Sequence, residues 1–575
     1  MVTPRGNPRS THRLCYNHYD LPRLLLSTQL AVASIQPALG QLHAVQEGKQ
    51  VMLSRYWNSR LKLFPRGPTL LSLEERRASE LSVSLALLFD LGSTFTKVAA
   101  VDRDTGELVA WAKAPSSVAT DVTEGLRTAL EEAERAGGFR FEEATLRLAC
   151  SSAAGGLRLV AVGLVPELTG EAARRAALGA GAKVVGVFSY ELSSAAIENL
   201  EVLAPDIVLL AGGTDGGNRQ VILHNAACLA RAQVRAPVVV AGNKVVAEPV
   251  AEALRAGGKE VWVSENVLPS LDVLNVEPAR RVIREVFIRR IVQAKGFDRA
   301  SSFVQGVVMP TPTAVMRAAE LLARGPGSSS LRSGGHGLGQ LLVVDVGGAT
   351  TDVHSIGKGE PTQAGWIPKG LPEPECKRTV EGDLGMRCNA MSILEAVGLE
   401  TFHVRMRRYL GGNAAGETDG PERVRRAVEA LTRETWRVPG NAWEVALDAA
   451  LGACAVDVAV GRHAGHVEEL YTPAGKATFV YGKDLTDFGT LIGTGGPLVS
   501  SPYRWEMLRA ALGDPQQPLC LKPRSPRLLC DDRYVLFAAG LLAEKDQRLA
   551  FRLLTHCLAS PPTATLKSVV RQTEW

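Results

Sequence analysis

Order along this chain begins at Leu85. Apolar runs at Leu85–Phe89, Thr96–Val101 and Leu108–Ala112, separated by glycine-bearing turns such as Asp104-Thr105-Gly106, predict three strands in a meander. A helix over Val122–Ala136 follows, capped by Thr120 or Asp121 and closed by Gly137 and Gly138. From Glu171 helix and strand alternate: helix Glu171–Leu178, strand Val184–Phe188, helix Leu192–Leu200, strands Ile207–Leu210 and Val238–Ala241, helix Pro249–Ala256, strand Val261–Val263. Uninterrupted apolar strands of this kind are buried on both faces of a parallel sheet. Residues 325–340 are dominated by Gly and Ser and predict a flexible break. Directly afterwards Leu341–Val344 is again a strand running into an aspartate, Asp345. Further on, helices are expected over Met386–Val397 and Trp443–Arg462. Residues 1–84 carry neither strand nor helix periodicity and read as a loose extension or a misassigned start, while the end of the chain, with Ser560-Pro-Pro-Thr-Ala-Thr, reads as a fraying terminus. The expected organisation is an extension (1–84), a first lobe (85–165), an inserted parallel α/β region (166–324), a linker (325–340), a second lobe (341–545) and a tail (546–575).

The two strand-to-aspartate positions open an internal echo. Asp90-Leu-Gly-Ser-Thr-Phe-Thr-Lys97 and Asp345-Val-Gly-Gly-Ala-Thr-Thr-Asp352 share Asp-x-Gly-[Ser/Gly]-x-x-Thr, each between two apolar strands. Glycines and small hydroxyl residues let backbone N–H groups approach phosphate oxygens, because no Cβ blocks the way. The phosphate-cradling candidates are Gly92, Ser93, Thr94 and Lys97 in the first turn, and Gly347, Gly348, Thr350, Thr351 and Asp352 in the second. Asp90 and Asp345, at the strand ends, supply hard carboxylates for Mg²⁺ and are the first catalytic candidates. A third glycine string, Gly493, Thr494, Gly495 and Gly496 before Pro497, sits between the apolar pairs Leu491-Ile492 and Leu498-Val499. Glu381, in Val380-Glu-Gly-Asp-Leu-Gly385, is either part of an acidic cap for the following helix or a group that activates water or holds magnesium.

Taken in order, these strings resemble the actin-like ATPase superfamily of actin, heat-shock chaperones and sugar kinases. The resemblance makes residues 90–97 and 345–352 the two phosphate loops and Gly493–Gly496 the adenosine-binding turn. It implies ATP and Mg²⁺ as ligands, on an α/β, ribonuclease H-like fold of two lobes with an inserted α/β region. A closer resemblance, over about residues 85–545, is to the accessory proteins called GlmL or MutL, which are unrelated to the mismatch-repair protein that shares the second name. It rests on the same three strings together with Leu209-Leu-Ala-Gly-Gly-Thr-Asp-Gly-Gly-Asn218, Ala241-Gly-Asn243 and Val380–Gly385. That family is associated with adenosylcobalamin-dependent glutamate mutase and related aminomutases. The resemblance therefore implies a reactivating, chaperone-like ATPase whose partner is a mutase subunit and which promotes exchange of damaged cobalamin. No Asp-x-His-x-x-Gly string is present, so the chain is not expected to hold cobalamin itself. The loop 209–218 could cradle a phosphate or a partner's backbone, or merely bend around a helix, with Asp215 and Asn218 favouring a functional role.

Other readings are open on the same fold. A small-molecule kinase needs a positioned base in the cleft, and no substrate signature accompanies the acids here. An iron–sulfur activator ATPase needs cysteine ligands, but the nine cysteines are scattered and never spaced C-x-x-C. A hydantoinase-like first loop ends in Asp where Lys97 stands. A protein that binds nucleotide without turning it over is the remaining class.

Composition narrows the partners. At 575 residues, 46% hydrophobic and 22% charged, the chain can build more than one core, which excludes collagen, coiled coil and wholesale disorder. The net charge of +5 invites a nucleic-acid reading until it is divided. Residues 1–84 hold eleven Lys/Arg against five acids, so the segment is +6 and the remainder −1. No nucleic-acid or membrane role is expected of the body. The most apolar stretch, Leu24–Leu39, is broken by Ser27, Thr28, Gln29, Gln36 and Pro37, and cysteine usage fits a reducing cytoplasm. His463 and His466 lack a third ligand for a metal, and Cys376 and Cys388 read as solitary thiols.

Overall fold

Two sheets with the same strand order dominate the computed structural model. It describes residues 84–562, except 93–94, 117–121, 152–156, 294–302, 306, 329–336, 411–419 and 474, all within the unit Val83–Trp575. The expectations for 1–83, for the capping pair Thr120 and Asp121 and for the centre of the linker lie outside the described residues.

The first lobe opens with the meander β1 (Leu85–Leu91), β2 (Phe95–Asp102) and β3 (Leu108–Pro115), then α1 (Val122–Gly137) and β4 (Ala144–Ser151). Along β1, Leu85, Leu87, Phe89 and Leu91 enter one core while Ala86 and Leu88 enter another, so the strand is covered on both faces. The inserted region follows as β5 (Arg158–Val162), α2 (Glu171–Gly179), β6 (Lys183–Phe188), α3 (Ser194–Leu203), β7 (Ile207–Leu210), α4 (Gln220–Arg231), β8 (Val238–Val240), α5 (Ala247–Ala256), β9 (Val261–Val263) and α6 (Glu277–Gln293). Its five strands pair in the order β6-β5-β7-β8-β9, all parallel. Helices α2 and α6 cover the face bearing Leu159 and Ala161; α3, α4 and α5 cover the face bearing Val160 and Val162. This is the doubly wound arrangement that alternating helix and continuous apolar strand require.

The chain then returns to the first sheet as β10 (Val307–Pro310), parallel to β4, and runs into α7 (Thr311–Arg324). The second lobe comprises β11 (Leu341–Val346), β12 (Thr351–Ile356), β13 (Trp366–Lys369), β14 (Cys376–Glu381), the helices α8 (Ala390–Val397), α9 (Leu399–Leu410), α10 (Pro421–Arg433) and α11 (Ala442–His463), β15 (His466–Thr472), β16 (Gly475–Tyr481), β17 (Thr490–Thr494), α12 (Gly496–Ser500), α13 (Arg504–Arg509), β18 (Arg527–Asp531), α14 (Leu536–Ala543), α15 (Gln547–Cys557) and β19 (Leu558–Ala559). The first sheet is ordered β3-β2-β1-β4-β10 and the second β14-β12-β11-β17-β18-β19. In each, three antiparallel strands are followed by two parallel ones, and the second sheet adds β19, antiparallel to β18, at its edge. The echo seen in eight-residue strings is thus an echo of whole topologies. In the first sheet the crossover from β4 to β10 is the entire inserted region; in the second, from β17 to β18, it is residues 495–526.

A single core joins the lobes. Ala86 and Leu88 of β1, Leu341 and Val343 of β11, and side chains of α7, α14 and α15 belong to one buried cluster. Helices α7 and α14 cross so closely that any Cβ on Gly540 would collide with the carbonyl of Ala314. Among the described residues no helix is long and apolar enough to cross a membrane.

Three boundaries differ from expectation. Strand β5 pairs with β6 and β7, so it belongs to the insert and not to a first lobe ending at 165. At the far side, β10 and α7 belong to the first lobe's sheet and the shared core, not to an insert running to 324. The tail 546–575 does not fray from its start. Asp546 caps α15 by accepting from the N–H groups of Arg548 and Leu549, and Leu549, Leu553 and Leu554 are buried in the central core.

Candidate functional site

The first hairpin places Asp90 directly opposite Lys97. Asp90 is 1% exposed and both its oxygens are engaged: Oδ2 with Lys97 Nζ at 2.5 Å, Oδ1 with the Thr311 hydroxyl at 2.7 Å. Thr311 is the first residue of α7, so an element that follows the insert completes the shell around an aspartate that precedes it. The Ser116 hydroxyl donates to the Gly92 carbonyl at 2.6 Å and ties the turn to the end of β3; Ser93 and Thr94 lie outside the described residues. The Lys97 ammonium also sits 4.6 Å from the ring centroid of Tyr534. Burial alone would lower the lysine pKa, but Asp90, Tyr534 and Asp345 outweigh it and hold the amine protonated.

In the second hairpin Asp345 stands opposite Asp352. The Gly347 N–H donates to the Thr350 carbonyl at 2.9 Å, closing the turn, and the Gly348 carbonyl accepts from the N–H groups of Arg387 and Cys388, each at 2.9 Å. Thr350 Oγ1 donates to Asp352 Oδ2 at 3.0 Å, and Thr351 Oγ1 to the Leu384 carbonyl at 2.8 Å. Asp345 is different from Asp90: among the described residues its carboxyl accepts no hydrogen bond. Burial, then the charges of Asp352, Asp90 and Asp531, push its pKa up to about 7 against the opposing pull of Lys97. Lys97 lies over Tyr534, whose N–H donates to the Asp531 carbonyl, and Asp531 holds Thr494, the register partner of Asp345, so a chain of contacts joins the two hairpins.

The third glycine string joins the same place. Strand β17 runs parallel to β11 with Thr494 beside Asp345. Gly495 adopts φ 95°, and a Cβ there would stand 2.7 Å from Asp345 Oδ1. Glycine is therefore required by backbone conformation and by the aspartate together. Gly493 is buried in β17, and Gly496 opens α12.

Besides Thr311, two contributors were not anticipated from sequence. Asp531 is fully buried at the end of β18 and accepts from Thr494 Oγ1 (3.0 Å), Val535 N (2.8 Å) and Leu536 N (3.0 Å), so it caps α14 while holding the glycine turn. Its signal was legible, an apolar run ending in Asp as at Asp90 and Asp345. Tyr534, at φ 54°, follows in the same turn and carries no motif.

Glu381 stands apart. It lies on β14 opposite Thr351, two strands from β11, and Oε2 accepts from Arg462 at 2.8 Å; Arg462 also binds Asp383. Burial raises the Glu381 pKa while Arg462 opposes. Its neighbours are thus Arg462 and Asp383, not the Asp90–Lys97–Asp345 cluster. The cap reading is corrected: α8 starts at Ala390 behind Asn389, well beyond the acids.

The loop 212–218 is held by internal bonds. Asn243 is fully buried, accepts from Gly216 N at 3.1 Å and donates to the carbonyls of Gly217 and Asn218. Asp215 accepts from Lys244 N and Asn266 Nδ2, each at 3.0 Å, and Asn218 Oδ1 accepts from Val221 N. The polar groups that favoured a functional role are those that hold the loop's shape. His463 is buried between Thr379 and Ser355, and His466 stacks on Tyr481. Cys376 is a buried free thiol and Cys388 an exposed one.

Comparison with known proteins adds the following. The family model described as "MutL protein" matches residues 86–558. "Protein MutL" of Clostridium tetanomorphum is 45% identical over 472 residues, covering 82% of this chain and 98% of that protein. Among solved structures, xylulose kinase from Bifidobacterium adolescentis aligns at 12% identity over 82% of this chain and 93% of its own, with a TM-score of 0.28. Ethanolamine utilization protein EutJ from Carboxydothermus hydrogenoformans aligns at 12% identity over 82% and 89%, with a TM-score of 0.23. At such scores the structural likenesses carry no argument, and the architecture rests on the strand orders above. The sequence matches do carry one: the chain belongs to the MutL family, the glutamate mutase accessory family.

Proposed function

We propose that the chain is a magnesium-dependent ATPase that serves an adenosylcobalamin-dependent amino-acid mutase of the glutamate mutase type, reactivating it by promoting exchange of damaged cobalamin. The observation that carries the nucleotide part is convergence: three glycine strings, far apart in sequence, meet around Asp345, with Lys97 as the cation. The mutase part rests on membership of the family.

The residues fit a nucleotide with its metal. Asp345 is a partly buried carboxyl that accepts no hydrogen bond among the described residues and faces other carboxylates, whose charge outweighs the pull of Lys97. Among those residues no group of three His, Cys, Asp or Glu could hold a metal ion alone. One or two carboxylates completed by phosphate oxygens and water is the usual protein share of a Mg²⁺ site. Asp345 would hold the ion, with Asp90 joining once its lysine is drawn away. The ion would supply neutralisation of charge developing on the phosphates. Lys97 can exchange its bond to Asp90 for one to a phosphate oxygen without leaving the cleft. The hairpin turns present Gly92, Gly347 and Gly348 where backbone can come close, Gly495 lets β17 pack directly against Asp345, and Gly496, beside which a Cβ would meet nothing within 4 Å, leaves open space for a nucleoside. Glu381, paired with Arg462, is left out of this assignment.

Asp345→Ala is expected to abolish ATP turnover while the circular dichroism spectrum is unchanged; undiminished hydrolysis would sink the assignment. For the client, a mutase blocked with cyanocobalamin should regain activity when given the protein, magnesium ATP and fresh adenosylcobalamin. Phosphorylation of glutamate, a sugar or an acyl acid instead would establish a small-molecule kinase.

A further inference from the structure

The insert is joined by chain to the first lobe, yet its helix α2 packs against the second. There the edge strand β14 carries Arg378, 6% exposed, whose guanidinium is divided between two bodies. Nε and Nη2 donate to Asp352 Oδ1 at 3.0 and 2.6 Å. Nη1 donates to the carbonyls of Leu178 at 2.9 Å and Ala182 at 3.3 Å, at the end of α2 and in the turn after it. A helix C-terminus, the negative end of the helix dipole, suits a cation. Asp352 closes the second phosphate-loop string, and its other oxygen accepts from Thr350 within that loop. One buried cation therefore links the loop to the insert's backbone.

The joint has two further ties. Arg175 of α2 binds Glu373 at 2.6 Å and the Pro372 carbonyl at 2.8 Å in the second lobe. Arg280 of α6 donates to the Cys376 carbonyl on β14 at 3.1 Å. These two fix the insert to the edge of the sheet, whereas Arg378, on β14, also binds Asp352 of the loop on the neighbouring strand. Separating a buried ion pair leaves a charge uncompensated and is costly. A shift of Asp352 is therefore followed by Arg378, and a shift of Arg378 moves the carbonyls it holds or breaks their bonds.

We propose that Arg378 is a positioning residue that couples occupancy of the second phosphate loop to the conformation of the inserted domain through Asp352 on one side and Leu178 and Ala182 on the other. The proposal rests on the nucleotide reading above and adds to it the route by which the site would act at a distance.

Hydrogen–deuterium exchange on the full chain, with and without magnesium ATP, tests it. In the wild type, nucleotide should change exchange both in 345–352 and in 171–182. Arg378→Lys retains a charge for Asp352 but lacks the planar fork that also reaches two carbonyls. It should bind nucleotide with a Kd within about threefold of wild type, since the point charge is kept, and lose the response at 171–182. Arg378→Gln is the substitute should the lysine variant not fold. Absence of nucleotide binding by the wild type overturns the nucleotide reading. Binding with a silent 171–182, or a variant that responds as the wild type does, overturns the coupling while leaving that reading in place.

Discussion

Two aspartates at the same position of two hairpins have been given opposite circumstances. Asp90 is paired with Lys97 and hydrogen-bonded by Thr311, whereas Asp345 faces Asp352, Asp90 and Asp531 with Lys97 pulling the other way. The difference follows from one residue, since the register partner of the first aspartate is a lysine and that of the second another aspartate. It gives a sign for pH dependence. The folded-state pKa of about 7 lies above the ordinary 3.8, so the folded protein binds this proton more tightly than the unfolded chain does. Without ligand, the Asp345 contribution favours folding at low pH and is lost as pH rises from about 4 towards 7. Asp345→Asn should gain on the wild type by about 2–3 kcal/mol between pH 5 and pH 8, by urea denaturation. A constant difference across that range would show that the carboxyl titrates normally. In sequence, the aspartates and their glycines were legible because backbone approach to an anion leaves a local signature. Thr311, Tyr534 and Arg378 were not, because each reaches its partner, Asp90, Lys97 or Asp352, from a separate segment by topology alone.

Among elements, the signals that succeeded were local and periodic. Strands of the meander and the helices α2, α3 and α5 of the insert could be read because each buries a continuous apolar stripe, whereas α4 and α6 were not anticipated. Strand β10 was missed: four residues, Val-Val-Met-Pro, are too short for any period, and their identity as a strand comes from lying beside β4. Helix α15 was misread because it is close to the chain end, where only burial distinguishes a packed helix from a frayed one. Removing residues 546–575 should therefore abolish soluble folding. Three buried leucines alone account for roughly 5–9 kcal/mol, comparable to the whole stability of a typical domain; a truncated protein with a native circular dichroism spectrum would contradict this. A smaller adjustment is available at the end of α3, where Ala204 holds φ 40°, a left-handed conformation that costs a residue with a Cβ. Ala204→Gly should raise stability by about 0.5–1 kcal/mol, seen as a higher midpoint in thermal unfolding. A lower midpoint would mean that the greater freedom of glycine in the unfolded chain outweighs the relief.

At the level of the whole molecule, the two lobes are the same topology used twice and bound by one core that neither owns. That core is why the cleft residues are so closely placed: Thr311 stands at the start of α7 and Tyr534 just before α14, two helices of the shared layer. A motion of either lobe must pass through these helices, and so past Asp90 and Lys97. The equivalence of the lobes also bears on the insert. It occupies the crossover between two neighbouring parallel strands, and the other lobe makes the same crossover with residues 495–526. The architecture is thus that of a chassis with an exchangeable cartridge. The second lobe holds, in its own sequence, a pattern for the short bridge that would reclose the first lobe with the cartridge removed.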